Sequence, residues 1–171
     1  MDYFEVIKER HSIRAYENRP IEADSLQRIL EAANRAPSAG NLQAYEVYIV
    51  ADEDCKRALV KAAGDQEFLA QASVALVFCA HAARSKVRYG SRGADLYCAQ
   101  DATIACTFAM LAATALGLST VWVGAFDEEA VRQIIRAPES QRPIAMLPIG
   151  YPAEVPRITR RRDLSDLVHQ T

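Results

Sequence analysis

Strand-like runs that alternate with helical ones predict a sheet flanked by helices, on pattern alone a doubly wound parallel sheet. Three observations carry this. Tyr45 to Val50, Val74 to Ala80, Thr120 to Gly124 and Ile144 to Ile149 are short runs rich in aromatic and β-branched residues. Leu26, Ile29, Leu30 and Ala33 recur at helical spacing between such runs. The 171 residues, half apolar and a quarter charged, suit one globular domain spanning 1-171. A chain this long buries ~70% of its unfolded surface without disulfides or a structural metal.

The elements follow in order. Asp2 to Lys8 reads as a short helix burying Phe4 and Ile7. The helix around Leu26 to Ala33 has Asp24 and Ser25 as plausible caps and stops before Pro37. Pro37 to Asn41 has turn chemistry and leads into the strand at Tyr45. A helix from about Asp54 to Ala63 ends at Gly64. Val74 to Ala80 is almost wholly apolar, as in a strand buried on both faces. From His81 to Tyr97 the periodicity is lost. A long Ala-rich helix then runs from Leu96 to Leu116 and is closed by Gly117. Asp127 caps a helix with Val131, Ile134 and Ile135 on its inner face, and the chain is polar beyond Pro152.

Charge and cysteine usage exclude several classes. A formal net charge of −2 argues against general affinity for nucleic acid or for acidic membranes. Cys55, Cys79, Cys98 and Cys106 form no CxxC pair, and the histidines have no ligand spacing, so no metal site is expected. The thiols read as reduced and the protein as cytoplasmic. The N-terminus has no signal-peptide pattern, and the apolar run Ala102 to Leu116 is short of the ~20 residues a bilayer needs.

No GxGxxG or GxxxxGK[ST] follows any strand, so a phosphate-bearing ligand must be held another way. In Arg10-His11-Ser12-Ile13-Arg14 an extended backbone puts Arg10, Ser12 and Arg14 on one side. Two guanidinium forks and a hydroxyl suit a phosphate, although alone the stretch reads equally as a solvated connection. Pro37, Ser38, Asn41 and Gln43 place a hydroxyl and two amides in a loop that can read the edge of a polar ring; alone it is also an ordinary helix-to-strand turn. Val123-Gly124-Ala125 ends a strand at a glycine, which permits close backbone approach to a ring system. Arg160-Arg161-Arg162 is either a solvated tail or a further phosphate contact.

In this order and spacing, the motifs resemble the FMN-dependent nitroreductase family over essentially the whole chain. Asp101-Ala102 opening the Ala-rich helix, Leu116-Gly117-Leu118, Trp122-Val123-Gly124 and Pro148-Ile149-Gly150-Tyr151-Pro152 complete the series. The resemblance implies an α+β fold with a mixed, mainly antiparallel sheet in place of the parallel one. It also implies an intertwined homodimer with active sites at the interface, and a segment 153-171 that reaches the partner. It assigns Arg10, Ser12 and Arg14 to the phosphate and ribityl chain of FMN, with His11 contributing through its backbone. Arg162 and Arg160 match the basic pair that closes on the same phosphate. Pro37, Ser38, Asn41 and Gln43 match the loop that meets the flavin from the other subunit, and Val123, Gly124 and Ala125 match the strand end beside the ring.

The implied activity is transfer of hydride from NADH or NADPH through flavin N5 to a small organic acceptor, such as a nitroaromatic or quinone, by a ping-pong route. No catalytic side chain is required and none is assigned. Arg84, Arg88, Tyr89 and Arg92 either line a site for an anionic acceptor or lie on the surface. Rival readings are a dehydrogenase acting on azoline rings, a flavin-binding protein without turnover, and a nucleic-acid binder. The last lacks stacking aromatics near its arginines.

Overall fold

The computed structural model describes all 171 residues. Helices α1 (Tyr3–Glu9) and α2 (Ala23–Asn34) precede strand β1 (Tyr45–Val50). Helices α3 (Glu53–Ala62) and α4 (Phe68–Gln71) lead to β2 (Val74–His81). After it come α5 (Ala82–Arg92), one wide turn over Gly93–Tyr97, and the long α6 (Cys98–Ala115). The two-residue β3 (Ser119–Thr120), α7 (Glu128–Ile134) and β4 (Gln141–Gly150) complete the body.

The sheet has the order β1-β2-β4-β3 with every ladder antiparallel. This corrects the parallel sheet read from the alternation of elements and agrees with the α+β fold. Hydrophobic periodicity reports which face meets the core; it is silent on strand direction. One parallel bridge, Ser12 with Thr120, adds the N-terminal segment beyond β3 and makes the sheet mixed. Between Phe78 and Cys79 the register slips by one residue opposite Pro143 and Ala145. A bulge there accommodates a proline that can donate no ladder hydrogen bond.

Side-chain alternation splits the core in two. Val74, Leu76 and Phe78 of β2 pack with Ile29 and Ala33 of α2 and with Ala105, Ala109 and Ala113 of α6. Ala75, Val77 and Cys79 face the other way, against Leu59, Leu69 and Val131 of α3, α4 and α7. The central strand is therefore buried on both sides, as its apolar sequence predicts. Alanines along α6 let its backbone lie close to the sheet, and Gly117 closes it with φ of 76°.

Three local expectations are corrected. Helix α1 buries Val6, while Phe4 and Ile7 stay 78% and 46% exposed. Seven residues give too few repeats to fix a buried stripe, and one step of register turns it by ~100°. Helix α2 starts at Ala23 after Glu22, which makes no side-chain cap, so Asp24 and Ser25 lie inside it. Of the stretch from His81 to Tyr97, His81 ends β2 and Ala82 to Tyr97 is helical. Gly90, with φ of 57°, interrupts it, and that glycine broke the sequence pattern. The helical run Ala82–Ala115 is long and apolar enough to pass for a membrane span by composition. Its apolar half, α6, is instead packed on the sheet of this domain.

Candidate functional site

The N-terminal segment leaves α1 extended. The Ile13 amide donates to the Thr120 carbonyl at 3.1 Å, and the Ile13 side chain is buried. Burying Ile13 turns its neighbours Ser12 and Arg14 outward, as period-two alternation requires. The same segment then pairs with the end of β4. Tyr16 bridges Pro152 in antiparallel sense, Glu17 donates to the Tyr151 carbonyl, and Ala153 donates to the Ala15 carbonyl. Continued outward, this register lays the C-terminal segment along Arg14 to Arg10. The Glu154 carboxylate accepts the Arg14 amide.

Between the two segments lies a cleft of about 650 Å³. Lys8, Arg10, Arg14, Arg157 and Arg161 line it, together with His11, Ser12, Thr159 and Ile7. Five cations and no carboxylate face this space. Burial, and then the neighbouring Arg161, pull the Arg10 guanidinium below its ordinary pKa. Like charges are thus held together with no carboxylate in the lining of the cleft. His11 is anchored through Nδ1 to the Glu9 carbonyl at 3.0 Å.

Arg160 and Arg162 do not line this cleft; Arg162 instead donates to the Asp166 carbonyl at 2.9 Å. Arg157, Thr159 and Arg161 occupy the lining, alternating by two along an extended chain. Sequence reasoning missed Arg157, Thr159 and Lys8, and held Arg161 only as the middle of the Arg160–Arg162 run. Arg157, Thr159 and Arg161 follow the same alternation as Arg10, Ser12 and Arg14, and the pairing of Tyr16 with Pro152 sets which side of the tail faces the cleft.

The loop after α2 is built on a buried carboxylate. Asp101, in the first turn of α6, accepts the Ala39 amide on Oδ1 at 2.9 Å and the Ala44 amide on Oδ2 at 3.3 Å. Ser38 Oγ accepts the Gln43 amide at 2.9 Å, and Gln43 Nε2 donates to the Asn41 carbonyl at 3.0 Å. Asn41 and Gln43 hold positive φ of 55° and 48°, a strained backbone fixed by these bonds. Pro37, Ser38 and Ala39 border a second cavity of about 600 Å³, shared with Tyr97, Gln100 and Ile104. Within one chain the loop and the arginine cleft are therefore separate.

Val123 is buried and bridges Met146, while Gly124 and Ala125 emerge exposed from the sheet. A Cβ on Gly124 would sit 3.0 Å from Trp122 Nε1, so a side chain there would crowd the indole. No cluster of three or more His, Cys, Asp or Glu residues is arranged to hold a metal ion.

Comparison with known proteins fits this geometry. The sequence profile of the Nitroreductase family matches residues 7–66 and 56–151. The chain is 35% identical over 166 residues to an FMN reductase [NAD(P)H] of Bacillus subtilis, covering 88% of this chain and 67% of that protein. An NADH dehydrogenase of Thermus thermophilus is 32% identical over 172 residues, with 85% of this chain and 84% of that protein covered. The solved structure of NfrA2 from B. megaterium superposes with a TM-score of 0.90 at 28% identity, over 98% of this chain and 73% of that one.

Proposed function

The chain is an oxidoreductase of the Nitroreductase family, and from that premise we propose that it binds FMN in the arginine cleft and reduces a small organic acceptor with NADH or NADPH. The charge of the cleft carries this reading: five cations without a carboxylate call for an anionic ligand. A phosphate matches the paired forks of Arg10, Arg14, Arg157 and Arg161. The Ser12 and Thr159 hydroxyls suit a ribityl chain. The donor set present therefore fits FMN.

FMN, when bound, supplies hydride transfer by ping-pong exchange between the nicotinamide and a nitroaromatic or quinone. The protein's share is to hold and orient. Arginines fix the phosphate end, the exposed backbone at Gly124 admits a flat ring, and Asn41 with Gln43 reads the polar ring edge from a second subunit. A homodimer would unite the loop with the cleft that one chain keeps apart. Apolar side chains left in water support it, namely Tyr3 and Phe4 of α1, Phe108 of α6, and Val155, Ile158 and Leu164 of the tail. The outer edge of β1 is also unpaired, a place for segment 153-171 of the partner to dock. Four free thiols suit a reducing cytoplasm.

The test is the visible spectrum of the purified protein, followed by anaerobic mixing with NADH and with NADPH. A yellow protein with one FMN per chain that bleaches with either nucleotide is the expected result. A colourless protein that cannot be reconstituted with FMN would sink the reading. A yellow protein that neither nucleotide bleaches would favour the azoline-type dehydrogenase or the non-catalytic flavin binder.

A further inference from the structure

Helix α5 is the most basic element of an acidic chain. Residues 82 to 97 carry Arg84, Lys86, Arg88 and Arg92 against Asp95 alone, in a protein of net charge −2. All four cations are exposed, and the six ion pairs of the chain use other residues. A solvated helix face ordinarily mixes its signs. This one does not.

The helix is also clamped onto the loop assigned to the flavin. Arg84 Nε donates to the Leu42 carbonyl at 2.6 Å and Arg88 Nη1 to the Gly40 carbonyl at 3.3 Å. The fit is close enough that a Cβ on Gly40 would strike the Tyr89 hydroxyl and meet Arg88 Nη1 at 2.8 Å. Arg92 Nε donates to the Tyr97 hydroxyl at 2.9 Å, and Tyr97 borders the cavity beside Pro37 and Ser38. Tyr89 and Tyr97 meet edge to face at 5.2 Å, which stiffens this wall. Each guanidinium makes one bond to the protein and has five N–H donors, so most of its donors are unengaged.

We infer that Arg84, Arg88 and Arg92 form a second anion site, which receives the 2′-phosphate of NADPH and makes it the preferred nucleotide. The inference rests on the functional reading above. Because α5 grips the loop within one chain, the subunit that presents Asn41 and Gln43 to the ring also presents these arginines. A dinucleotide whose nicotinamide lies at that loop must lead its charged arm over neighbouring protein, and α5 is the element attached there. A phosphate monoester is an anion that the unengaged donors of a guanidinium fork match well.

The experiment uses the FMN-loaded protein, so that the first cleft is filled. Calorimetry compares adenosine 2′,5′-bisphosphate with adenosine 5′-monophosphate, in the native protein and in an Arg84→Gln, Arg88→Gln, Arg92→Gln variant. Glutamine removes the charge and keeps a donor at the Nε position for the Leu42 carbonyl, and circular dichroism together with FMN content verifies the fold. The native protein should bind the bisphosphate about tenfold tighter, and the variant should lose that preference, as befits charge-assisted hydrogen bonds. In turnover, the ratio of kcat/KM for NADPH to that for NADH should fall about tenfold, chiefly through the KM for NADPH, so that any loosening of the loop common to both nucleotides cancels. Equal binding of the two nucleotides by the native protein, or a preference retained by the variant, overturns the inference. Millimolar inorganic phosphate that abolishes the bisphosphate preference without touching 5′-monophosphate binding would mark the site as general for phosphate, and would overturn the assignment to NADPH. If neither NADH nor NADPH bleaches the flavin, the functional reading fails, while the calorimetry still decides the anion site.

Discussion

Asp101 reaches out of the first turn of α6 to take the Ala39 amide at 2.9 Å, so the core helix and the candidate ring-binding loop are one mechanical unit. The same carboxylate takes the Ala44 amide. Replacing Asp101 with Ala leaves two amides without an acceptor in a buried place, and should cost about 2–4 kcal/mol of stability. Asn keeps one acceptor oxygen but turns an NH2 toward the second amide, so its cost should fall below that of Ala. Urea unfolding measures both. A cost under about 0.5 kcal/mol for Ala would mean that the loop holds itself.

The cleft separates adjacent arginines by role. Arg161→Ala should weaken FMN about 10- to 100-fold, because a charge-assisted contact to the phosphate is lost. Arg160→Ala and Arg162→Ala should each change it by less than about threefold, since neither side chain lines the cleft. Flavin fluorescence titration of the apoprotein reads all three. The reverse order would restore the pairing implied by the family resemblance.

The thiols should differ in reactivity. Burial, and then Glu46, push Cys79 up to about 12, and burial alone pushes Cys106 higher. Raised values mean less thiolate, on the order of one part in ten thousand for Cys79 at pH 8. Cys98 is raised by burial as well, while Cys55 is raised chiefly by its hydrogen bond to Asp52 and is the one partly exposed thiol. A disulfide reagent at pH 8 should therefore modify one thiol, faster as pH rises, and all four only after unfolding. Two fast thiols in the native protein would contradict the packing of β2 or α6.

Val155 and Ile158 are 91% and 83% exposed within the chain. Val155→Asp with Ile158→Asp should cost the isolated subunit less than about 0.5 kcal/mol. In the proposed homodimer it should nevertheless shift the equilibrium toward monomer and lower FMN retention. Sedimentation velocity on native and variant protein decides this. An unchanged dimer would remove these two side chains from the interface.

Much of the fold was legible because burial leaves a periodic trace. β1 was readable to the residue, from Tyr45 to Val50, and the continuous apolar run of β2 announced a strand covered on both faces. Strand direction left no such trace in any one run. Only the order of motifs along the chain pointed to an antiparallel sheet. Arg10, Ser12 and Arg14 were legible because an extended strand sorts its side chains by twos. Arg157 and Arg161 obey the same rule, but their register is set by the pairing of Tyr16 with Pro152, some 136 residues apart in the sequence. Asp101 was legible as a motif at the start of the Ala-rich helix, while its hold on the loop was hidden for a related reason. Its partners are backbone amides, and every residue type but proline has one.

The five unopposed cations of the cleft have a consequence for the lifetime of the protein. A ligand that binds only the folded chain adds about 2.7 kcal/mol to stability at a hundred times its dissociation constant. Here it also relieves repulsion already present between Arg10 and Arg161. The empty chain should thus open more often and be cut sooner by proteases. How much of the enzyme persists in a cell should follow how much flavin that cell makes.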